Sequence, residues 1–334
     1  MQAAGKKNTL NQHIDQTEIM PTMHVAPSPH VSSMATTTRG MMLDVLIALV
    51  PVVAAAFLIF GWLAAKQLLI CVAASLAAEV LFTRLREGPF SLMDLSAVVT
   101  GLILGLSLPA TAPWYVGFIG AVVAIGVGKL VFGGLGMNIF NPAMVGRAFV
   151  MIAFAGSLAA SGYVFPNGGV DALSQATPLT AFKQSGVVVP LSSLFLGNVN
   201  GSLGETSALA CLLGGIYLCV RRAASWEIPA GILLSVLFIA GVVNLFNLGD
   251  AWTVLHQLAS GALLFGAFYI ATDPVTSPLT SRGRWIYGVG IGAIIMLLRY
   301  FSGYPEGVMF AVLLMNAVTP LINRWNIPRP FGGV

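Results

Sequence analysis

The chain has 334 residues, of which 57% are hydrophobic and 8% are charged, and its formal net charge is +4. Soluble domains carry about 25% charged residues, so this composition indicates an integral membrane protein and excludes an ordinary soluble enzyme. The small positive charge comes from cations in loops between apolar segments, so it does not indicate a nucleic-acid partner.

Ten apolar runs, each close to the roughly 20 residues that cross a bilayer as a helix, follow one another along the chain. They lie at 43–62, 66–83, 93–109, 114–131, 143–162, 205–220, 228–247, 252–271, 284–299 and 306–323. The runs are continuous, whereas a transmembrane barrel needs short segments of alternating polarity. The sequence therefore predicts an all-α multi-pass protein of the lipid bilayer, with a flexible cytoplasmic tail at 1–38 and a C-terminal cytoplasmic tail at 325–334.

The two halves of the chain share a pattern of small and polar residues. The first copy has Thr100-Gly101, Gly105 and Ala110-Thr111-Ala112-Pro113, and the second has Ser260-Gly261, Gly266 and Ala271-Thr272-Asp273-Pro274. The copies lie five helices apart, and because five is odd the halves must have opposite orientations. The pattern predicts two inverted five-helix repeats, at 39–162 and 205–324, joined by a loop at 163–204, as in many transporters. Chance similarity between glycine-rich helices is the alternative.

Cations are distributed unequally between the two sides of the predicted bundle. With the N-terminus inside, one side carries Lys6, Lys7, Arg39, Arg84, Arg86, Lys129, Arg221, Arg222, Arg282, Arg284, Arg324 and Arg329. The opposite side carries Lys66, Lys183 and Arg299. Because short cytoplasmic loops are enriched in Lys and Arg, both termini are predicted to be cytoplasmic and the loop at 163–204 periplasmic.

Several charged residues have a simple structural explanation. Lys129 and Arg299 each end a predicted helix, where a cation suits the helix dipole. Asp44 and Glu79 lie near predicted cytoplasmic ends, where hydration costs little. Asp273, followed by Pro274, is expected to shape a break in the eighth helix.

The segment from Gly133 to Pro142 interrupts the chain between the fourth and fifth predicted spans. Gly133 and Gly134 let backbone approach a ligand closely, and Asn138 and Asn141 offer both hydrogen-bond donors and acceptors, a surface that suits a planar polar heterocycle. A tight loop that only turns the chain is the alternative. Arg147 lies within the fifth span, where a guanidinium faces a cavity, a partner or a ligand, or else forms a buried ion pair or carbonyl contacts.

The longest polar interruption lies between Val164 and Gly204. It contains Asp171, Ser174, Ala176 and Thr177. A threonine without a neighbouring base is a poor nucleophile, so Thr177 is a candidate acceptor for a group delivered by another enzyme. A helix N-cap or a turn is the alternative explanation for the Ser and Thr residues here.

The pattern Asp171-x-x-Ser174-x-Ala176-Thr177 resembles the acceptor motif for covalent flavin attachment, although Gln175 stands where glycine is common. The segments from Gly128 to Gly134 and from Asn141 to Phe149 resemble the same proteins. On these residues the chain, from about 39 to 324, is similar to the NqrB/RnfD family of ion-translocating oxidoreductases, and more to its RnfD members because the N-terminal extension is short.

The resemblance implies several expectations. A flavin transferase would join FMN to Thr177 through a phosphoester, using FAD as donor, and a riboflavin would bind without a covalent bond toward the cytoplasmic side. The break from Gly133 to Asn141, together with Arg147, and the break in the eighth helix are the candidate walls of that riboflavin pocket. The fold would resemble that of urea transporters. The partners would be other subunits of the Rnf complex, including a periplasmic flavin-bearing subunit, and the chain would relay electrons coupled to movement of Na⁺ or H⁺. It would act as one subunit of an enzyme and not alone. A transporter or channel for a small polar solute is the alternative that the inverted repeat by itself suggests.

Overall fold

The computed structural model describes residues 37–86, 92–159, 177–246, 253–303 and 306–326, and within these ranges it contains helices and no strand. The first half contains α1 (Thr38–Phe60), α2 (Trp62–Leu85), α3 (Ser96–Leu106), α4 (Trp114–Ile125), α5 (Pro142–Ala153) and α6 (Ala155–Ala159). The following connection contains α7 (Pro178–Ser185) and α8 (Leu191–Leu196). The second half contains α9 (Ala208–Val220), α10 (Glu227–Leu245), α11 (Val254–Ala259), α12 (Leu263–Phe265), α13 (Ser281–Phe301) and α14 (Val308–Trp325).

The helices differ in how far they can reach across a bilayer. By length and composition α1, α2, α10, α13 and α14 can each cross a membrane. Apolar but shorter helices are α3, α5, α9 and α4, the last being extended by a π-helical turn. Nine of the ten predicted spans each overlap at least one of these nine helices, and the remaining one, 252–271, overlaps α11 and α12. The prediction of an all-α multi-pass membrane protein is confirmed.

The eighth predicted span is not one helix. α11 ends at Ala259, and α12 begins at Leu263 and continues as a π-helical turn, Gly266–Ile270. Between them Gly261 has φ 68°, the left-handed region that favours glycine. The break therefore falls at Gly261, twelve residues before Asp273, because Gly261 turns the backbone there.

Helix packing repeats between the two halves. α2 packs against α3 and α4, and α4 packs against α5. In the second half α10 packs against α11 and α13, and α13 packs against α14. Corresponding helices thus have corresponding neighbours, as a repeat requires, while the inverted orientation stays a prediction.

Lys129 and Arg299 occupy corresponding positions at the ends of the fourth helix of each half. The Lys129 ammonium donates hydrogen bonds to Glu79 Oε1 and Ser96 Oγ, both at 2.6 Å. The Arg299 guanidinium donates to the Gln257 side chain at 3.0 Å and to Ser260 O at 2.9 Å.

Both cations lie in the last turn of their helices, as the helix-dipole explanation requires. Each is also buried and ties the fourth helix of its half to the third, which the sequence did not predict. The expectation of hydrated carboxylates is wrong. Glu79 is 1% exposed and Asp44 is 8% exposed, and each is held by a cation, Lys129 and Arg221 respectively.

Asn141 joins the two halves. Its backbone N–H donates to Asn316 Oδ1 in α14 at 3.1 Å, and its Nδ2 donates to Ile270 O at 3.3 Å. Its own Oδ1 accepts from Met144 N and so caps α5. Asn316 in turn donates to Tyr287 Oη at 2.7 Å. Asn141 therefore caps the start of α5 and connects that helix to the opposite half of the chain.

Replacing Lys129 with Met should destabilise the protein by about 3–5 kcal/mol, because it leaves the Glu79 carboxylate buried without its ammonium. The midpoint of thermal unfolding in detergent would report the loss. Lys66→Met is the matched control, since Lys66 lies on the less buried face of α2, and Lys129→Met with Glu79→Met should recover most of the stability. Equal midpoints for Lys129→Met and Lys66→Met would contradict the buried pair.

Candidate functional site

Four of the sequence-predicted site residues line cavities in the described part of the chain. Asn138 and Asn141 line one cavity, Thr177 a second and Arg147 a third. We call the first the Asn138 cavity. It holds about 70 Å³ of free volume and lies between the start of α3, the segment before α5 and the segment after the second π-helical turn. Its polar lining residues are Ser96, Thr100, Lys129, Asn138, Asn141, Tyr269, Thr272 and Asp273. Both halves of the chain thus contribute to it.

Asn138 and Asn141 both line this cavity, as predicted for a ligand surface, but they have different roles. Asn141 is committed to the junction between the halves. Asn138 donates its Nδ2 to Phe140 O at 3.2 Å, while its Oδ1 is buried without a hydrogen-bond partner. Because a buried unpaired acceptor costs about 1–3 kcal/mol, this oxygen is suited to an N–H donor on a bound molecule.

Gly133 and Gly134 are not among the residues that line the Asn138 cavity. Their φ angles are 129° and 110°, which side chains rarely adopt, so these glycines turn the chain between α4 and α5. For the two glycines the structure favours the alternative of a tight loop.

Asp273 lies at the rim of the Asn138 cavity. Its Oδ1 accepts from Val275 N at 3.1 Å and its Oδ2 accepts from Thr276 Oγ1 at 3.3 Å. Burial raises the pKa of this carboxyl, and the two hydrogen bonds oppose that rise. Asp273 therefore stabilises the turn after the π-helical segment.

Thr177 is the N-cap of α7. Its Oγ1 accepts from Thr180 N at 3.3 Å and lies 2.9 Å from Thr180 Oγ1, and Pro178 takes the first helical position. The residue is 9% exposed, so the hydroxyl is less accessible than the sequence suggested. Asp171, Ser174 and Ala176 lie outside the described residues.

A second, very small cavity, the Thr177 cavity, holds about 10 Å³ of free volume beside this cap. Asn200, Glu205, Gly261 and Glu306 are among its lining residues. A Cβ atom at Gly261 would come within 2.6 Å of Glu306 Oε1 and 2.7 Å of Leu179 Cδ1. The missing side chain at Gly261 thus lets Leu179 of α7 and Glu306 both approach the backbone of the break closely.

Arg147 lines a third cavity and not the Asn138 cavity where the prediction put it. This Arg147 cavity, with about 60 Å³ of free volume, is lined also by Glu205, Glu306 and Phe265. The Nη1 atom of Arg147 is buried without a hydrogen-bond partner. Glu205 and Glu306 therefore form a wall shared by the Arg147 and Thr177 cavities.

Glu205 and Glu306 were missed by sequence reasoning. Each lies in a connection just before an apolar helix, α9 and α14 respectively, and both line the Arg147 and Thr177 cavities. Burial, followed by the neighbouring Glu306 carboxyl, raises the pKa of Glu205 well above its usual range. An acidic residue placed between a glycine-rich connection and an apolar run was the available signal.

α7 and the segment after it contact the second half. Lys183 Nζ donates to Ser302 O at 2.6 Å, and His256 Nε2 lies 3.1 Å from Val189 O. Lys183 and Ser302 lie in connections predicted to be periplasmic, and His256, in α11, lies near the predicted periplasmic end of the eighth span. By contrast, the segments around Asn138 and Asp273, which meet at the Asn138 cavity, are predicted on the cytoplasmic side. Connections assigned to one side are thus brought together.

These features define a multi-pass helical membrane protein with polar cavities at interrupted helices. Residues 24–332 match the model of the NQR2, RnfD, RnfE family. The chain belongs to that family.

Individual relatives support this membership over nearly the whole chain. The D subunit of the Na⁺-translocating ferredoxin:NAD⁺ oxidoreductase complex of Acetobacterium woodii is 40% identical, over 92% of this chain and 95% of the relative. The D subunit of the proton-translocating ferredoxin:NAD⁺ oxidoreductase complex of Clostridium ljungdahlii is 38% identical, over 92% and 96%. The D subunit of the ion-translocating oxidoreductase complex of Stutzerimonas stutzeri is 40% identical, over 87% and 91%.

Proposed function

We propose that this chain is the D subunit of an ion-translocating ferredoxin:NAD oxidoreductase complex and that it relays electrons across the membrane between two flavins. The names of the relatives and the family membership support the complex. The relay is supported by two separate sites in one chain, the Thr177 cap and the Asn138 cavity. In this proposal the flavins supply the electron-transfer chemistry, and the protein holds, orients and shields them.

The observation that carries the proposal is the position of Thr177. It ends the acceptor pattern that begins at Asp171, and its hydroxyl caps α7. A phosphodiester formed there would carry its negative charge at a helix N-terminus, where backbone N–H groups and the dipole favour an anion. Lys183, in the last turn of α7, complements the same dipole.

The Asn138 cavity is the proposed site for a riboflavin held without a covalent bond. The isoalloxazine ring presents an imide N–H between two carbonyls, and Asn138 Oδ1 is an acceptor without a partner. The free volume of about 70 Å³ is smaller than a whole flavin, so lining side chains must move apart to admit the ring. Ala223 and Ala224 leave one wall of the cavity without long side chains.

The proposed orientation places the termini in the cytoplasm and Thr177 on the periplasmic side of a bacterial inner membrane. Lys129 and Arg299 are buried, and they were counted on opposite sides of the membrane. Without them the excess of Lys and Arg on the predicted cytoplasmic side remains. In this orientation an external transferase and a periplasmic flavin-bearing subunit would both reach Thr177, while the Asn138 cavity would face the cytoplasmic side.

Thr177→Ala should abolish covalent flavin, because the acceptor oxygen is lost, and Thr177→Ser should retain it. Flavin fluorescence of the denatured band on a gel, from cells with an active transferase, would report both. Thr280→Ala is the matched control: it removes a similar N-cap, worth about 1 kcal/mol, at α13. A wild-type band without flavin fluorescence would contradict the flavin relay and favour the alternative of a solute transporter.

Ala223→Phe should lower non-covalent flavin several-fold while leaving covalent flavin unchanged, because a phenyl ring would fill the Asn138 cavity. Denaturation of the purified complex would release the non-covalent flavin for quantification, and fluorescence of the band on the gel would measure the covalent flavin. Ala54→Phe, on an exposed face of α1, controls for the added ring. Equal flavin release from Ala223→Phe and the wild type would place riboflavin elsewhere.

Ser185→Cys should react with a membrane-impermeant thiol reagent in intact spheroplasts, since Ser185 is exposed at the end of α7. Ser281→Cys, exposed at the start of α13, should react only after lysis. The parent chain, whose Cys71 and Cys211 are buried, gives the background. The reverse labelling pattern would overturn the orientation.

A further inference from the structure

Glu205 and Glu306 come from different parts of the chain, Glu205 before α9 and Glu306 before α14, and both line the same two cavities. Two ionised carboxylates held this close to each other repel, and one shared proton lowers that repulsion. A proton on the pair therefore helps to hold together the starts of two apolar helices.

The surroundings of this pair leave its charge only partly compensated. The Ser202 side chain acts on Glu205, and the charges of Arg147 in α5 and Arg299 in α13 act on the pair. Arg299 is occupied by its contacts with Gln257 and Ser260. Neither carboxyl forms an ion pair within the part of the chain described by the structure.

Two buried polar atoms at the same place have no hydrogen-bond partner, namely Arg147 Nη1 and Glu306 Oε1. The other titratable group near the pair is the Cys211 thiol of α9, which interacts with Glu205. A carboxyl oxygen that is enclosed and unpaired can accept a further proton without breaking an existing hydrogen bond.

The pair is also the common wall of two cavities. On one side lies Thr177, with Asn200 and Gly261, and on the other lies Arg147, with Phe265. A proton held here is thus placed between the acceptor threonine and the interior of the helix bundle.

We propose that Glu205 and Glu306 form a proton-loading pair that binds one additional proton when the group carried by Thr177 is reduced and releases it on oxidation. This inference rests on the proposed function of Thr177. Before reduction the two carboxyls share one proton and carry one negative charge. The electron comes from a redox partner of the complex, and the proton comes from water on the Thr177 side.

Binding that proton forms a second O–H bond, and the pair becomes neutral. One electron has then been matched by one proton, so the net charge of the region does not change. When the electron leaves, this O–H bond breaks and the proton returns to water. The physical reason for the coupling is that an added negative charge in a low-dielectric region raises the proton affinity of nearby carboxyls.

Infrared difference spectra and redox titration of the purified complex test the pair. On reduction, the wild type should gain a protonated carboxyl C=O band that shifts in D₂O, and the midpoint potential of the covalent flavin should change with pH by one proton per electron. Glu205→Gln and Glu306→Gln should each lose the band and the pH dependence. Glu227→Gln, which removes a carboxyl paired with Arg284, should keep both.

The outcomes separate the two proposals. A wild-type midpoint potential that does not change with pH would overturn the proton-loading pair without any variant, while covalent flavin on the gel would leave the proposed function standing. Spectra unchanged in both Gln variants would overturn it as well. In Thr177→Ala the static carboxyl band should remain and only its redox-linked change should disappear. A wild-type chain without covalent flavin would overturn both proposals.

Discussion

The architecture depends on one constraint, which is that interrupted helices in an apolar medium must have their free backbone groups satisfied by the protein itself. At the break after α11, Arg299 donates to carbonyl oxygens of Gln257 and Ser260. At the start of α5, Asn141 caps the helix and bonds to Ile270 O and Asn316. The polar side chains that make interruption tolerable are therefore buried, and they gather where helices from both halves meet.

The same interruptions create the sites. The Asn138 cavity forms where the segment before α5 meets the turn after α12, and the Thr177 cavity forms where the Gly261 break meets the connection before α14. Between them the path is packed and aromatic. Phe265 lines the Arg147 cavity, Tyr269 lines the Asn138 cavity, and their rings stack with centroids 5.3 Å apart. Tyr269 is held by hydrogen bonds to Ala48 O and Cys211 O, so this stacked pair of rings lies fixed between the two regions.

The sequence predicted what depends on local composition. Apolar runs identified the helices, because hydropathy is a property of adjacent residues, while the inverted repeat inferred from the shared spacing of small residues stays a prediction. It could not predict what depends on distant partners. Lys129 was assigned to a helix dipole because Glu79, 50 residues away, could not be known as its neighbour. Arg147 was placed with Asn138 because they are close in the chain, yet the fold turns it toward Glu205 and Glu306. The helix breaks at Gly261, where φ is positive, and the sequence does not specify that angle.

The two proposed flavin sites differ in a way that their cavities explain. A ligand held without a covalent bond must recover its binding energy from enclosure and matched hydrogen bonds, which the larger cavity and the unpaired Asn138 Oδ1 can offer. The space beside Thr177 is about 10 Å³, too small to enclose a ring. A covalent phosphodiester would remove the need for enclosure, because the bond itself would keep the ring at the site. It would also fix a negative charge next to Glu205 and Glu306, and two ionised carboxylates there would repel it. A proton shared between those carboxyls would lower the repulsion, so the two proposals describe one electrostatic arrangement.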